Sequence, residues 1–571
     1  MYPRYTLLVG LCLGLLCSAC QAQVVPPPQL DRAPEPAGAL VTRFVAQTPW
    51  HASPIVEIDS LRRVISPQGR LVWVDQRAGA DTGACTEEAP CRTIAFALQW
   101  AGAGDAVLVR AGVYRESVLF QKGGTADRPI TLAAYPGEAV VVSGAEVAQD
   151  GWMASENDWE RAWTASLPMH RSKNRPQDVF RPELIVVDGL PLRAVYAREN
   201  LRPGAFWVDG EPEAPRRIVT RFRESRRPDS LSIETGLRPM LLTGADSAVH
   251  HVRIIGMIFL HAPNSGKNGC FQSVGSRWQV EQNLVAWCNG LGIMVGGHQQ
   301  TFRGNWSMYN GQMGWSSRTS HSLLEDNRSV GNNWKGYDAR WEAGGGKFVE
   351  TTYTTIRRHY AAYNLGPGIW LDINNTNNIV EESLVVGNTK AGIMVEFKST
   401  DNVVRNNVVY GTRLLDGTGS GIQIQAASNN RIEHNTVYSN EGDGIRYKHG
   451  DGRAASGGTV FYRNLLINNG IGPSRAQEIR VEGTPPLDNP DTYTENVYGR
   501  RGNEDAIFFV AEMPSNDLDT WMRFSNSTTD RIQPHPRRVL ADVQRPEGWG
   551  VAGEFDLTAF GVQAAAVGPA R

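Results

Sequence analysis

Residues 279–316 read QVEQNLVAWCNGLGIMVGGHQQTFRGNWSMYNGQMGWS, and this stretch decides the fold. One phrase occurs in it twice: a short run, Asn283 or Asn305, apolar residues, then a glycine (Gly292, Gly314) that opens another run. The phrase continues along the chain. Its first Asn returns at Asn327, Asn407, Asn435 and Asn464, with His359 and Ser383 standing in between. A second Asn follows five residues later at Asn310, Asn332, Asn364, Asn388, Asn440 and Asn469. The opening glycines are read as Gly292, Gly314, Gly336, Gly368, Gly392, Gly421 and Gly444, at spacings of 22, 22, 32, 24, 29 and 23.

Self-similarity at such a period marks a solenoid, and β-branched strands without an LxxLxL phrase exclude leucine-rich repeats. The expectation is an all-β chain forming a right-handed parallel β-helix. Asn tolerates left-handed backbone angles, so the Asn residues are expected at the corners, stacked and hydrogen-bonded from coil to coil. Alternate strand residues point into the core, their neighbours to solvent. The spacings of 32 and 29 mark loops inserted at particular coils, where they would wall a groove.

Outward from this repeat, residues 69–147 supply the first coils and a short Ala/Leu-rich helix after Thr93, expected to cap the open end as solenoids require. Residues 148–245 break the rhythm and read as an inserted β-sandwich-like module, with a set of long loops as the alternative. The main helix is placed at 246–485, and 486–571 are expected to be a C-terminal cap or irregular wrap.

Residues two and four positions after each repeat glycine should face outward on one sheet. They are Ser316/Arg318, Asp338/Arg340, Trp370/Asp372, Met394/Glu396, Gln423/Gln425 and Arg446/Lys448. Asp372 and Glu396 fall on adjacent coils, about 4.8 Å apart in backbone. Two carboxylates that close drive one pKa up, which leaves a proton donor beside an ionised partner. Such a pair suits glycoside cleavage with retention of configuration. Trp370 offers a flat face to a sugar ring, and Arg340, Lys347 and Gln425 would contact hydroxyls or a carboxylate. Trp334 and Trp341 are read as lining the groove or packing beneath it. A lyase or uronate epimerase is the alternative, with Asp372 and Glu396 holding Ca²⁺ and Arg318, Arg340, Lys398 or Lys448 acting on the uronate. A third reading is a surface solenoid that binds glycans without catalysis.

The phrases Gly368-Ile369-Trp370-Leu371-Asp372 and Ala391-Gly392-Ile393-Met394-Val395-Glu396 resemble the catalytic coils of glycoside hydrolase family 120 β-xylosidases. The resemblance covers roughly residues 70–470 and includes the N-terminal opening, the insertion, Trp334, Trp341 and the Glu342–Lys347 region. It implies that Asp372 is the nucleophile and Glu396 the acid/base, with Glu342 among the substrate-binding residues, and that no cofactor is needed.

The ends of the chain bear on location. Arg4 precedes an apolar run, Leu7–Leu16, too short to span a bilayer, which reads as an export signal. Cys17-Ser18-Ala19-Cys20 resembles a bacterial lipobox, which would place a lipid on Cys20 at the cell envelope; cleavage near Ala22 and secretion is the alternative. The proline-rich 24–39 suits a tether. Outside the cytoplasm cysteines oxidise, so Cys85 and Cys91 are expected to pair, with Cys270 and Cys288 left open. With 57 basic and 59 acidic residues the chain is no polycation, and nucleic acid is excluded as a partner in favour of carbohydrate.

Overall fold

Strands are short in this chain because each coil turns three corners, and each corner is built from a left-handed residue followed by a buried polar one. The computed structural model describes residues 36–533, apart from 53–57, 67, 172–178, 212, 451, 474–475, 485, 500–506, 511–512 and 516. Three parallel sheets of 13 strands each run its length. The first extends from Leu71–Val74 to Thr492–Thr494, the second from Val118–Phe120 to Met513–Ser515, and the third from Gly112–Tyr114 to Arg531–Gln533. The closing pair of the second sheet, Phe508–Val510 and Met513–Ser515, is antiparallel. The protein is a right-handed parallel β-helix.

The register stacks like on like. In the first sheet Val280, Phe302, Leu324, Ile356, Val380, Val404, Ile432 and Phe461 lie one above another, each essentially inaccessible. Every such side chain removed from water contributes roughly 1.5–3 kcal/mol, and truncating one to Ala leaves a cavity costing about 2–5 kcal/mol. The repeat is thus held by an apolar column along the axis.

The corners carry the asparagine ladders. Asn283 donates to Asn305 Oδ1 at 2.9 Å, Asn305 to Asn327 at 3.1 Å, and Asn407, Asn435, Asn464 and Asn496 continue in the same way. Asn310, Asn332, Asn364 and Asn388 form the second ladder. Unexpectedly, Asn378, Asn402 and Asn430 form a third at the remaining corner. The ladder asparagines are not themselves left-handed. The positive φ falls on the residue before each ladder position, those filled by His359 and Ser383 included: Gln282, Asp326, Arg358, Glu382, Asn406 and His434 on the first ladder, Tyr309, Tyr363 and Gly387 on the second. The preceding residue makes the turn, and the Asn amide then closes the buried backbone groups that the turn leaves open.

The glycine column also differs from the expected one at a single coil. A Cβ on Gly314 would meet Gly345 O at 2.6 Å, and one on Gly345 would meet Gly368 O at 2.4 Å, so Gly345 belongs in the column. Gly336 does not: nothing lies within 4 Å of its Cβ position, and it sits at φ +79 in an insertion. Gly336 resembles a repeat glycine in sequence because it too follows an Asn pair.

The helix Ile94–Trp100, N-capped by Thr93, buries Ile94, Ala97 and Leu98 on the first coil. At the other end the repeat outlasts its expected limit of 485: Thr492–Thr494, Val497–Gly499 and Phe508–Val510 complete another coil. The helix Leu518–Ser525 then closes it, with Trp521 against Tyr493, Tyr498 and Phe508. Between Val140–Ser143 and Leu242–Gly244 the coil is interrupted by two small sheets of four and five strands and a two-stranded pair, His170–Arg171 with Val179–Phe180. The two sheets enclose their own core of Trp163, Ile185, Phe206, Ile218, Phe222 and Ile233. The end of the proline-rich segment is not free: the helix Ala37–Gln47 lays Leu40 and Phe44 on the outer face of the third sheet, against Trp306. Cys85–Cys91 and Cys270–Cys288 are both disulfides. The signal sequence, Cys20 and most of the proline-rich stretch lie outside the described residues.

Candidate functional site

The second sheet presents two outward rows. Ser316, Lys347, Trp370, Met394, Gln423 and Arg446 form one. Val349 and Asp372 lead the other, which continues through Glu396, Gln425, Lys448 and Glu482. Because Gly345, not Gly336, is the column glycine of the strand Gly344–Val349, it is Lys347 that enters the rows. Asp338 and Arg340, expected there, sit instead in the preceding insertion, 331–343.

Asp372 and Glu396 each end a strand and are followed by two left-handed residues, Ile373-Asn374 and Phe397-Lys398. Next comes a buried polar anchor: Asn375 donates to Asp372 O at 2.7 Å, and Ser399 to Glu396 O at 2.6 Å. The same local turn therefore fixes both carboxylates one strand apart. The register pairs Leu371 with Val395, and so carries Asp372 beside Glu396 at the sheet spacing of about 4.8 Å.

Although they face outward, both are covered, Asp372 at 6% and Glu396 at 8% exposure. Lys347 Nζ lies 2.7 Å from Asp372 Oδ2 and also donates to Trp341 O. Arg453 Nη2 donates to Glu396 Oε1 at 2.8 Å from the glycine-rich loop 449–458. That loop is held at its root, where Tyr447 Oη accepts from Gly457 N at 2.7 Å and His449 Nε2 stands 3.0 Å from Asp491 Oδ2. Burial pushes the Glu396 carboxyl up from its ordinary value; Asp372 adds to this, while Arg453 and Lys390 oppose it.

The remaining residues divide. Trp370 is buried and covered, with Lys347 Nζ 3.9 Å and Lys390 Nζ 5.5 Å from its ring centre. It supports lysines rather than presenting the open platform expected. Arg340 pairs with Asp338 at 3.1 Å and Asp416 at 3.5 Å, tying the 331–343 insertion to the neighbouring loop. Gln425 accepts from Gln423 at 3.2 Å, in register with Glu396. Glu342 is almost inaccessible and bridges His170 and Lys267, each at 3.0 Å. Burial opposes its charge, yet His170 and Lys267 together hold its carboxyl below the ordinary value. Glu342 thus straps the insertion to the small module rather than opening onto the cleft. Trp334 packs edge-on against Trp287 and donates to Tyr309 O, outside the carboxylate cluster. Arg318 faces Glu350 at 3.7 Å, and Lys398 lies over Phe397.

Two members of the cluster were not foreseen. Lys390 lies two residues before the repeat glycine, a position the outward-face reading skipped. Arg453 arrives from a loop whose glycines were visible in HGDGRAASGG but whose destination was not. As a donor set for Ca²⁺, which takes six to eight oxygens, Asp372 and Glu396 fit poorly, since a cation already engages each. Among the described residues no group of three or more His, Cys, Asp and Glu side chains converges.

The family profile described as right-handed beta helix region matches residues 269–415 and 405–476. An uncharacterized protein, YwoF, from Bacillus subtilis (strain 168) is 43% identical over 70 residues, 12% of this chain and 15% of its own length. Pectate lyase PEL9 of Emericella nidulans is 38% identical over 71 residues, 12% of this chain and 17% of its own. The chain therefore aligns with about a sixth of these curated relatives. Among solved structures, the complex of XylC with xylose superposes with a TM-score of 0.60 at 16% identity, covering 77% of this chain and 86% of that one.

Proposed function

We propose that this protein is an exported glycoside hydrolase, lipid-anchored at the cell envelope through Cys20, that cleaves oligo- or polysaccharides with retention of configuration. The observation that carries the reading is the placement of Asp372 and Glu396 at neighbouring strand ends in the same kind of turn, each covered and each held by one cation. Asp372, ion-paired with Lys347, attacks the anomeric carbon and forms a glycosyl ester. Glu396, whose neutral form is favoured by burial, gives its proton to the leaving oxygen; it then takes a proton from the water that releases the sugar. Lys347 holds Asp372 in place, and Arg453 holds Glu396. The fold shared with XylC, solved with xylose, and the short match to a pectate lyase agree with a carbohydrate as substrate.

The test is a panel of aryl glycosides and acidic polysaccharides assayed with wild type, Asp372→Asn and Glu396→Gln, with and without a chelator. The expected outcome is chelator-insensitive release of reducing sugar that falls by about 10²–10⁴-fold in Glu396→Gln and at least as far in Asp372→Asn. Full activity in both variants contradicts the carboxylate pair. An unsaturated product that requires added Ca²⁺ would instead identify a lyase. Glycan binding that survives both substitutions without any turnover would identify a binding solenoid.

A further inference from the structure

Three cations of the cleft face carboxylates, and a buried fourth does not. Lys347 faces Asp372, Arg453 faces Glu396, and Arg340 faces Asp338. Lys390, which opens the strand Lys390–Glu396 in a left-handed conformation (φ 71), forms no ion pair among the described residues. It is nevertheless only 9% exposed, with its ammonium over the Trp370 ring beside Lys347. Glu396 and Asp338 favour its charge from a distance, while Lys347 and Arg340 oppose it; burial outweighs all four and lowers its pKa. When Glu396 carries the proton that glycoside cleavage requires, one of the two favourable charges disappears. A buried ammonium in that position is costly unless an anion arrives to meet it.

We infer that Lys390 reads a carboxylate on the substrate: the sugar seated against Asp372 and Glu396 is a uronic acid, its carboxylate group meeting Lys390 Nζ above Trp370. The inference rests on the hydrolase reading for its pose, but its binding chemistry stands apart from turnover. A neutral pentose or hexose leaves Lys390 with the Trp370 ring and no anion. A uronate supplies a single negative charge, and a charge-assisted hydrogen bond to it is about twice as strong as a neutral one.

The experiment is calorimetric titration of the full chain with two matched pairs: methyl β-glucuronide against methyl β-glucoside, and methyl α-galacturonide against methyl α-galactoside. Within each pair the ligands differ only in a carboxylate or a hydroxymethyl group. The expected result is a preference of about tenfold or more for the uronate of at least one pair. That preference vanishes in Lys390→Met and survives in Lys390→Arg. Equal affinity within both pairs, no measurable binding of any member, or a preference unchanged in Lys390→Met would overturn the inference. Should Lys390→Met fail to fold in a melting scan, the wild-type pairs and Lys390→Arg still decide. A uronate preference in a protein whose Asp372→Asn and Glu396→Gln variants keep full turnover would leave this inference standing and the hydrolase reading fallen.

Discussion

The regular coils, 279–330, and the loop-bearing coils, 331–458, share one backbone and differ in what stands outside it. Both carry the same apolar column and the same asparagine ladders, which pass from one region to the other through Asn310, Asn332 and Asn364. In the regular coils the outward residues of the second sheet are Met294 and Ser316, with short turns around them. In the loop-bearing coils that row holds Lys347 and Trp370, the row beside it carries Asp372 and Glu396, and the insertions 331–343 and 449–458 bring Trp341 and Arg453 against them. The lesson is that stability and chemistry are separable here. Inward and corner residues hold the solenoid, while outward residues and loops make the cleft.

The largest expected effects break this comparison in two opposite ways. Asp372→Asn should lower kcat/KM by at least about 10³-fold while leaving the melting temperature within a few degrees, because Asn keeps the side chain's shape and leaves Lys347 an oxygen acceptor. Gly345→Ala should do the reverse, unfolding the chain: its Cβ would stand 2.4 Å from Gly368 O and 2.7 Å from Asn364 Nδ2, with backbone on one side. Urea titration should register a loss of about 3 kcal/mol or more, the range of severe core overpacking. Gly336→Ala, by contrast, meets no neighbouring atom and bears only its positive φ, about 1–2 kcal/mol. Equal losses at the two glycines would contradict the register assigned to the Lys347 strand.

A smaller effect is expected in the ladders. Asn332→Ala removes donors to Ser307 O at 3.1 Å and Asn364 Oδ1 at 2.9 Å and leaves buried acceptors open, costing about 1–3 kcal/mol in denaturant midpoint. Substrate KM should not move.

The subtlest effect is a shift with pH. Arg453 opposes the burial that raises Glu396, so Arg453→Met should raise that carboxyl further. The alkaline limb of kcat/KM, set by loss of the Glu396 proton, should then move to higher pH. The sign for stability is opposite in use. A carboxyl raised in the folded state contributes stability below its unfolded value, and that contribution is lost as pH rises through the folded value. Arg453→Met should therefore cost more stability at neutral pH than at pH 4. An unchanged or acid-shifted limb would detach Arg453 from Glu396.

Much of this was legible in the sequence because it repeats. The Asn and Gly positions gave the coil length and the outward face, and with them Asp372 and Glu396 on adjacent strands. The readings that failed did so where repetition stops. Gly336 mimicked a repeat glycine inside an insertion, so Asp338 and Arg340 were put on the sheet in place of Lys347 and Val349. Alternation puts Trp370 in an outward row, but it says nothing of the lysines that cover the ring. Trp334 and Glu342 fell near the cleft in sequence and elsewhere in space. Arg453, more than fifty residues beyond Glu396, reaches it through a loop whose path no local pattern encodes.

The central claim is that Asp372 and Glu396 act together through a covalent sugar ester. Proton NMR of the reaction with an aryl glycoside that the enzyme turns over, recorded before mutarotation, tests it most directly. A covalent sugar ester requires the first sugar released to keep the anomeric configuration of the substrate; release of the opposite anomer would rule that ester out.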